Sequence, residues 1–174
     1  MFDTLLTIRP AVPADLSLLH PIIERAYRGD SARAGWTHEA DILEGQRTDI
    51  AALEAIIASP SERLLVAERD GVLIGCVQIS NKGAGLAYLG LLCIDPLLQA
   101  NGLGKQIIAE AEVQAIRLFG ARRMEMTVIE RRGELIAYYM RRGYLPNGER
   151  QDFPISLDPP LFMTVLVKDL SASR

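Results

Sequence analysis

The chain has 174 residues, of which 49% are hydrophobic and 24% are charged, and its formal net charge is −3. This length and apolar content are typical of a globular domain with a substantial core. The mildly acidic balance argues against a dedicated nucleic-acid binder, and no apolar stretch is long enough to cross a bilayer uninterrupted.

No repeat, low-complexity tract or linker divides the sequence, so we expect residues 1–174 to form one domain. The N-terminus lacks the basic segment and long apolar core of a signal peptide, which predicts a cytoplasmic protein without a membrane partner or a nucleic-acid partner. Cys76 and Cys93 lie in apolar strand-like runs without metal-ligand spacing. They are expected to be buried free thiols, and no metal site is predicted.

The first third of the chain combines one strand with two helical patterns. Residues 4–8 predict a strand, and apolar residues at helical spacing across 16–26 predict the first helix. A Gly-rich, charged stretch containing the only tryptophan, Trp36, follows. It leads to a short second helix at about residues 49–58.

Three β-rich runs come next. RLLVAER and VLIGCVQIS are joined by Asp70-Gly71, which predicts an antiparallel hairpin. LAYLGLLCID reads as a third consecutive strand, and its apolar residues on both alternating faces favour a central position. Later in the chain, MEMTVI, a helix and LFMTVLV complete the pattern.

The loop QANGLG, residues 99–104, joins the strand that ends at Asp95-Pro96 to an amphipathic helix predicted to begin near Gly102. The first amides of a helix are unpaired, and glycine lets an anion approach the backbone, so this loop suits a phosphate. A tight strand-to-helix turn would also use glycine. The spacing fits neither a P-loop nor a Rossmann fingerprint.

These residues resemble the GNAT superfamily of N-acetyltransferases, whose acetyl-CoA signature is [Q/R]-x-x-G-x-[G/A] after a strand. A second family element, a helical aromatic followed four residues later by Gly-aromatic, is matched by Tyr139, Gly143 and Tyr144. The order of strands and helices matches along nearly the whole chain. The resemblance implies an α/β fold with a mixed, mostly antiparallel sheet of about six to seven strands flanked by about four helices. The sheet should be splayed between residues 86–94 and 123–128.

The resemblance further implies acetyl-CoA as co-substrate, without a metal. Main-chain groups of Leu92, Cys93 and Ile94 would hold the pantetheine arm like an added strand. Tyr139 would contact the cofactor and protonate the departing thiolate. The backbone amides that would receive the pyrophosphate are those of Gln99, Ala100, Asn101, Gly102, Leu103, Gly104 and Lys105.

Three features depart from the family pattern. Ala100 stands where glycine is frequent, and Arg132 stands where many members carry an asparagine, so Arg132 would reach either a CoA phosphate or only solvent. No carboxylate occurs at residues 88–92 of the central strand, which leaves the general base open. The candidates, acting directly or through water, are Glu39, Asp41, Glu130 and His38. Cys93 is interpreted as core or cleft lining.

Acceptor recognition in this fold comes from the early helices and the segment before the last strand. Tyr27, Trp36, Glu39 and Asp41 are the predicted substrate-binding residues, with Phe153 beside them. Such an aromatic and acidic wall suits a cationic amine; the alternative is a solvated helix start with Trp36 in the core. We therefore expect acetyl transfer to a primary amine of a small molecule or peptide by direct attack. A non-catalytic acyl-CoA-binding module is the alternative, and the resemblance suggests a homodimer.

Overall fold

The computed structural model of the protein describes residues 5–27, 47–98 and 102–171. Within these ranges, seven strands and four helices form the mixed architecture expected from the sequence. The strands are β1 Leu6–Pro10, β2 Glu62–Arg69, β3 Val72–Gly83, β4 Leu86–Ile94, β5 Arg123–Ile129, β6 Leu145–Asp152 and β7 Phe162–Asp169. The helices are α1 Leu16–Tyr27, α2 Ile50–Ala58, α3 Leu103–Phe119 and α4 Gly133–Arg141, with a short 3-10 turn at Pro13–Asp15.

The strands form one sheet in the order β1-β2-β3-β4-β5-β7-β6. Every neighbouring pair is antiparallel except β4 and β5, which run parallel. A parallel pair needs a crossover connection, and α3 lies between β4 and β5 in the chain. The mostly antiparallel sheet with LAYLGLLCID as its central strand is therefore confirmed.

The turn between β2 and β3 is the hairpin that Asp70-Gly71 predicts. Asp70 has a φ of +53° and Gly71 a φ of +80°. Two successive left-handed residues are the geometry of a type I′ turn, whose twist matches that of the flanking strands. This local signal therefore sets the pairing next to the turn, Arg69 with Val72 and Glu68 with Leu73, before a β-bulge shifts the register.

Apolar clusters cover both faces of the sheet. In β2, Leu64 and Val66 pack with residues of α1 and α2, whereas Leu65 and Ala67 pack with residues of α3. We call these the α1/α2 face and the α3/α4 face. Burial of each large aliphatic side chain contributes about 1.5–3 kcal/mol, so both clusters hold the helices on the sheet. No helix in the described ranges is long and apolar enough to cross a membrane.

The Gly-aromatic element after α4 belongs to the core. Tyr144 is fully buried, and its hydroxyl donates to Oε1 of Glu112 on α3 at 3.0 Å. Nζ of Lys168 on β7 donates to both oxygens of the same carboxylate, at 2.8 and 3.0 Å. These bonds join α3 to β7 and anchor the chain just beyond α4, the helix that carries Tyr139.

β4 and β5 remain paired for only three residues. The register joins Leu86 to Arg123 and Tyr88 to Glu125, and the strands then diverge. This is the splayed sheet that the resemblance implies, and it is confirmed. The opening lies between the second halves of the two strands.

Candidate active site

The opening between β4 and β5 contains a cavity of about 400 Å³. Residues 88–92 of β4 and 126–129 of β5 form two of its walls. Arg132, Leu135 and Tyr139 close it from the side of α4, and residues 153–155 close it near the last strand. The cavity thus occupies the gap that strand divergence leaves in the sheet.

This cavity is lined from both faces of the sheet. Met126, Val128 and Tyr139 belong to the apolar cluster of the α3/α4 face, whereas Leu91 belongs to that of the α1/α2 face, with Tyr27 packed against it. Successive side chains of a strand point to opposite faces of the sheet. The gap between β4 and β5 is therefore bordered by side chains of both faces. Two ligands approaching from opposite faces can therefore meet in it.

A β-bulge lies in the β4 wall. Cys76 pairs with Cys93 and Gln78 pairs with Gly90, so two residues of β4 stand opposite one residue of β3. Leu91, within the bulge, has a φ of +49°, an unusual value for a leucine. The hydroxyl of Tyr27 donates to the carbonyl oxygen of Leu92. The bulge therefore turns main-chain groups out of the ladder beside the cavity.

Tyr139 lines the cavity and carries a hydroxyl group that is available for hydrogen bonding. Its side chain is 6% exposed, and its hydroxyl has no hydrogen-bond partner among the described residues. Burial raises the pKa of Tyr139 well above its usual value, so the phenol is protonated at neutral pH. The neighbouring Tyr138 is half-buried and does not line the cavity. Cζ of Arg142 lies 5.2 Å from the centre of its ring. Of the two tyrosines, only Tyr139 is placed for proton donation there.

The three β4 residues predicted to hold pantetheine are placed differently. Leu92 lines the cavity, whereas the side chains of Cys93 and Ile94 are buried in the clusters of opposite faces. Cys93 is therefore a core residue and lines no part of the cleft. Both cysteines are buried free thiols, as predicted, with Sγ of Cys76 3.8 Å from Sγ of Cys93.

Helix α3 begins where the QANGLG loop predicts. Gly102 is its N-cap with a φ of +71°, and the first amide that bonds back is that of Gln106, to the Gly102 carbonyl at 3.3 Å. The amides of Leu103, Gly104 and Lys105 consequently have no helical acceptor, which suits an anion. Lys105 is exposed. Gln99, Ala100 and Asn101 lie outside the described residues.

Arg132 corrects one of the alternatives drawn from the sequence. Its side chain is not directed only to solvent: the residue is 7% exposed and lines the cavity. Nε of Arg132 donates to Oε1 of Glu134 at 2.7 Å. Its position at the N-cap of α4, before the helix that carries Tyr139, puts the residue on the α4 side of the cavity.

The candidate bases do not come together in the described part of the chain. Glu130 lies on the surface in an ion pair with Arg150, with contacts of 2.7 and 3.1 Å, and is outside the lining. Trp36, His38, Glu39 and Asp41 lie outside the described residues. Tyr27 and Phe153 do line the cavity.

Several lining residues were missed by the sequence reasoning. Gln78 donates through Nε2 to Oε1 of Glu62 at 2.7 Å, and the hydroxyl of Tyr88 shares a hydrogen bond of 2.6 Å with Oγ1 of Thr127. Polar side chains within otherwise apolar strands are the signal that could have found them. In residues 5–27, 47–98 and 102–171, no three His, Cys, Asp or Glu side chains form a metal-binding group.

Three solved structures show the likeness of the fold. The Salmonella typhimurium protein yncA, solved with its cofactor acetyl-CoA, is 18% identical with a TM-score of 0.72, over 96% of this chain and 95% of that one. N-acetyltransferase from Staphylococcus aureus Mu50 is 17% identical with a TM-score of 0.70, over 96% and 99%. Spermidine/spermine N-acetyltransferase SpeG from Vibrio cholerae, solved in complex with manganese ions, is 17% identical with a TM-score of 0.69, over 95% and 93%.

No curated protein sequence matches the chain significantly. A model of the acetyltransferase (GNAT) family matches residues 23–144, which are more than half of the chain. The matched range includes β4, the start of α3 and Tyr139. The chain therefore belongs to the acetyltransferase (GNAT) family and is an acyltransferase enzyme.

Proposed function

We propose that the enzyme transfers an acetyl group from acetyl-CoA to a primary amine of a small molecule or peptide by direct attack. The observation that carries this proposal is the cavity through the sheet, lined by Tyr139 on one face and by Tyr27 on the other. A donor and an acceptor entering from opposite faces would meet there without a covalent acyl-enzyme. Cys93, whose thiol could in principle carry an acyl group, is buried in the core.

The described residues fit acetyl-CoA at two points. The unbonded first amides of α3 suit a pyrophosphate, and we assign this role to the backbone from Gln99 to Lys105. The main chain from Leu92 to Ile94, beside the bulge, would hold the pantetheine arm. The yncA structure, which contains acetyl-CoA in a similar fold, supports this choice of co-substrate.

Tyr139 is proposed as the general acid. When the tetrahedral intermediate collapses, sulfur gains negative charge, and a protonated hydroxyl beside it can donate a proton. The phenol carries its proton at neutral pH, as an ordinary tyrosine does, and the raised pKa of Tyr139 keeps it protonated. No carboxylate of the described residues lines the cavity, so the attacking amine would lose its proton to water or, directly or through water, to His38, Glu39 or Asp41.

The acceptor is proposed to bind beside α1. Tyr27 lines the cavity there, and Trp36, Glu39 and Asp41 remain proposed contacts from the segment that follows. The polyamine named for SpeG of Vibrio cholerae supports an amine as the acceptor class. We further propose that residues 1–174 act as one domain.

The test is a calorimetric titration of the purified protein with acetyl-CoA, followed by thiol release against a panel of polyamines, amino acids and peptides. Binding together with release that depends on the amine would support the proposal and identify the acceptor class. Binding without release would favour the non-catalytic acyl-CoA-binding module. Absence of binding would contradict the role assigned to the QANGLG loop.

A further inference from the structure

One glutamine of the cavity wall is held in a defined orientation. Gln78 stands directly opposite Leu64 of β2 and Gly90 of β4, so it lies on the α1/α2 face with Leu64. Its Nε2 donates to Oε1 of Glu62 at 2.7 Å. An ionised carboxylate only accepts hydrogen bonds, and the contact therefore assigns the amide nitrogen to the Glu62 side.

The opposite end of this amide is open. Oε1 of Gln78 accepts no hydrogen bond from the described residues, and Gln78 lines the cavity. A Cβ built on Gly90 would lie 4.0 Å from this oxygen and 3.1 Å from Cε1 of Tyr88. The missing side chain at position 90 thus leaves space in front of Oε1. An oriented hydrogen-bond acceptor faces the cavity from the side opposite Tyr139.

We propose that Oε1 of Gln78 binds an N–H of the acceptor amine and that Glu62 is the positioning residue that orients it. This inference rests on the proposed function and adds the group that recognises the amine. Tyr139 presents a donor for sulfur on one face, and Gln78 presents an acceptor for nitrogen on the other. The Tyr139 hydroxyl and Oε1 of Gln78 are thus complementary to the sulfur that loses the acetyl group and the nitrogen that receives it.

A neutral amide suits this position. The amine must be neutral when it attacks, and a carboxylate in the same place would stabilise the unreactive ammonium form. The amide oxygen accepts an N–H without adding that charge. A primary amine has two N–H groups, so one can leave as a proton while the other remains bonded to Gln78. The site should therefore prefer a primary amine to its N-methyl derivative.

The experiment uses the primary amine with the highest rate in the panel and its N-methyl derivative, at saturating acetyl-CoA. For Gln78→Met we expect kcat/KM for the primary amine to fall about threefold to tenfold, the value of one hydrogen bond, and the preference over the N-methyl form to shrink by the same factor. Glu62→Gln should give a smaller loss, because either orientation of the Gln78 amide then becomes available. The dissociation constant for acetyl-CoA should not change.

Gln151→Met on exposed β6 is the matched control, with wild-type kinetics expected. Unchanged acceptor kinetics and unchanged primary-to-secondary selectivity in Gln78→Met would overturn the inference while leaving the proposed function intact. A parallel loss of acetyl-CoA affinity would also overturn it, because the defect would then be structural. Absence of thiol release by the wild type with every amine would overturn the proposed function and this inference together.

Discussion

The hydroxyl of Tyr88 and Oγ1 of Thr127 lie 2.6 Å apart across the point at which β4 and β5 part. Tyr88 belongs to the last paired position of β4, and Thr127 stands two residues beyond its partner Glu125 on β5. Both residues line the cavity. The bond therefore joins the two diverging strands at the base of the opening.

We expect Tyr88→Phe and Thr127→Val each to destabilise the fold by about 1 kcal/mol, since each removes the same side-chain hydrogen bond. The double variant should lose no more than either single variant plus a few tenths, because the second change removes nothing further. Urea unfolding of all four proteins measures the coupling. If the two losses add independently, the bond does not stabilise the opening.

The role of the QANGLG loop can be tested with two glycines at opposite ends of α3. Gly102 begins the helix with a φ of +71°, and Gly120 ends it with a φ of +62°. An added Cβ at either position would meet no described atom within 4 Å. Alanine should therefore cost about 1 kcal/mol of stability at both positions, through the left-handed backbone alone.

Only Gly102→Ala should weaken acetyl-CoA binding. The Cβ added at position 102 would keep a phosphate away from the backbone amides. Loss of one charge-assisted amide-to-phosphate bond corresponds to about a tenfold rise in the dissociation constant. Calorimetric titration of both variants measures it, and Gly120→Ala is the control for strain in the same helix. Equal affinities for the two variants would show that the N-terminus of α3 does not hold the pyrophosphate.

Features that depend on neighbouring residues were predictable from the sequence. The Asp70-Gly71 hairpin follows from two residues that tolerate positive φ, and the start of α3 follows from Gly102. The position of the opening came from the resemblance to a known family. Together, these sequence features locate β4, α3 and Tyr139 along the chain without knowledge of any tertiary contact.

The lining of the cavity was harder to predict because it is built by contacts distant in sequence. Tyr27 donates to the carbonyl of Leu92, and Gln78 is oriented by Glu62 on another strand. The sequence left open whether Arg132 reaches only solvent, and its burial at the cavity became visible only in the folded chain. Periodicity reports which face a residue occupies and does not report what stands opposite it.

Asp15 should make the fold sensitive to acid. Nη1 and Nη2 of Arg9 donate to its two oxygens at 2.8 and 2.9 Å, and these bonds hold the pKa of the Asp15 carboxyl below its usual value. A lowered folded-state pKa stabilises the fold above the unfolded pKa of about 4, and this stabilisation is lost as the pH falls through the folded value. Asp15→Asn should therefore be less stable than wild type at neutral pH.

The difference between Asp15→Asn and wild type should shrink as the pH falls below about 4 and through the lowered folded-state pKa, because the wild-type carboxylate then becomes protonated. Urea midpoints at several pH values measure it, with Asp152→Asn on exposed β6 as the control. A difference that stays constant with pH would indicate that the charge of Asp15 is not what stabilises this region.

Tyr139→Phe should lower kcat about a hundredfold, which is the low end of what a general acid contributes. Stability should be kept, because the hydroxyl bonds to no described residue, and acetyl-CoA affinity should change little, because the ring that lines the cavity remains. Tyr138→Phe, one residue away and outside the cavity lining, is the matched control with near wild-type kcat. The pKa of Tyr139 is raised above the usual tyrosine pKa of about 10. The wild-type rate should therefore show no fall near about pH 10 from ionisation of this group. Full activity of Tyr139→Phe would assign proton transfer to water, and a fall in both variants would point to packing of α4.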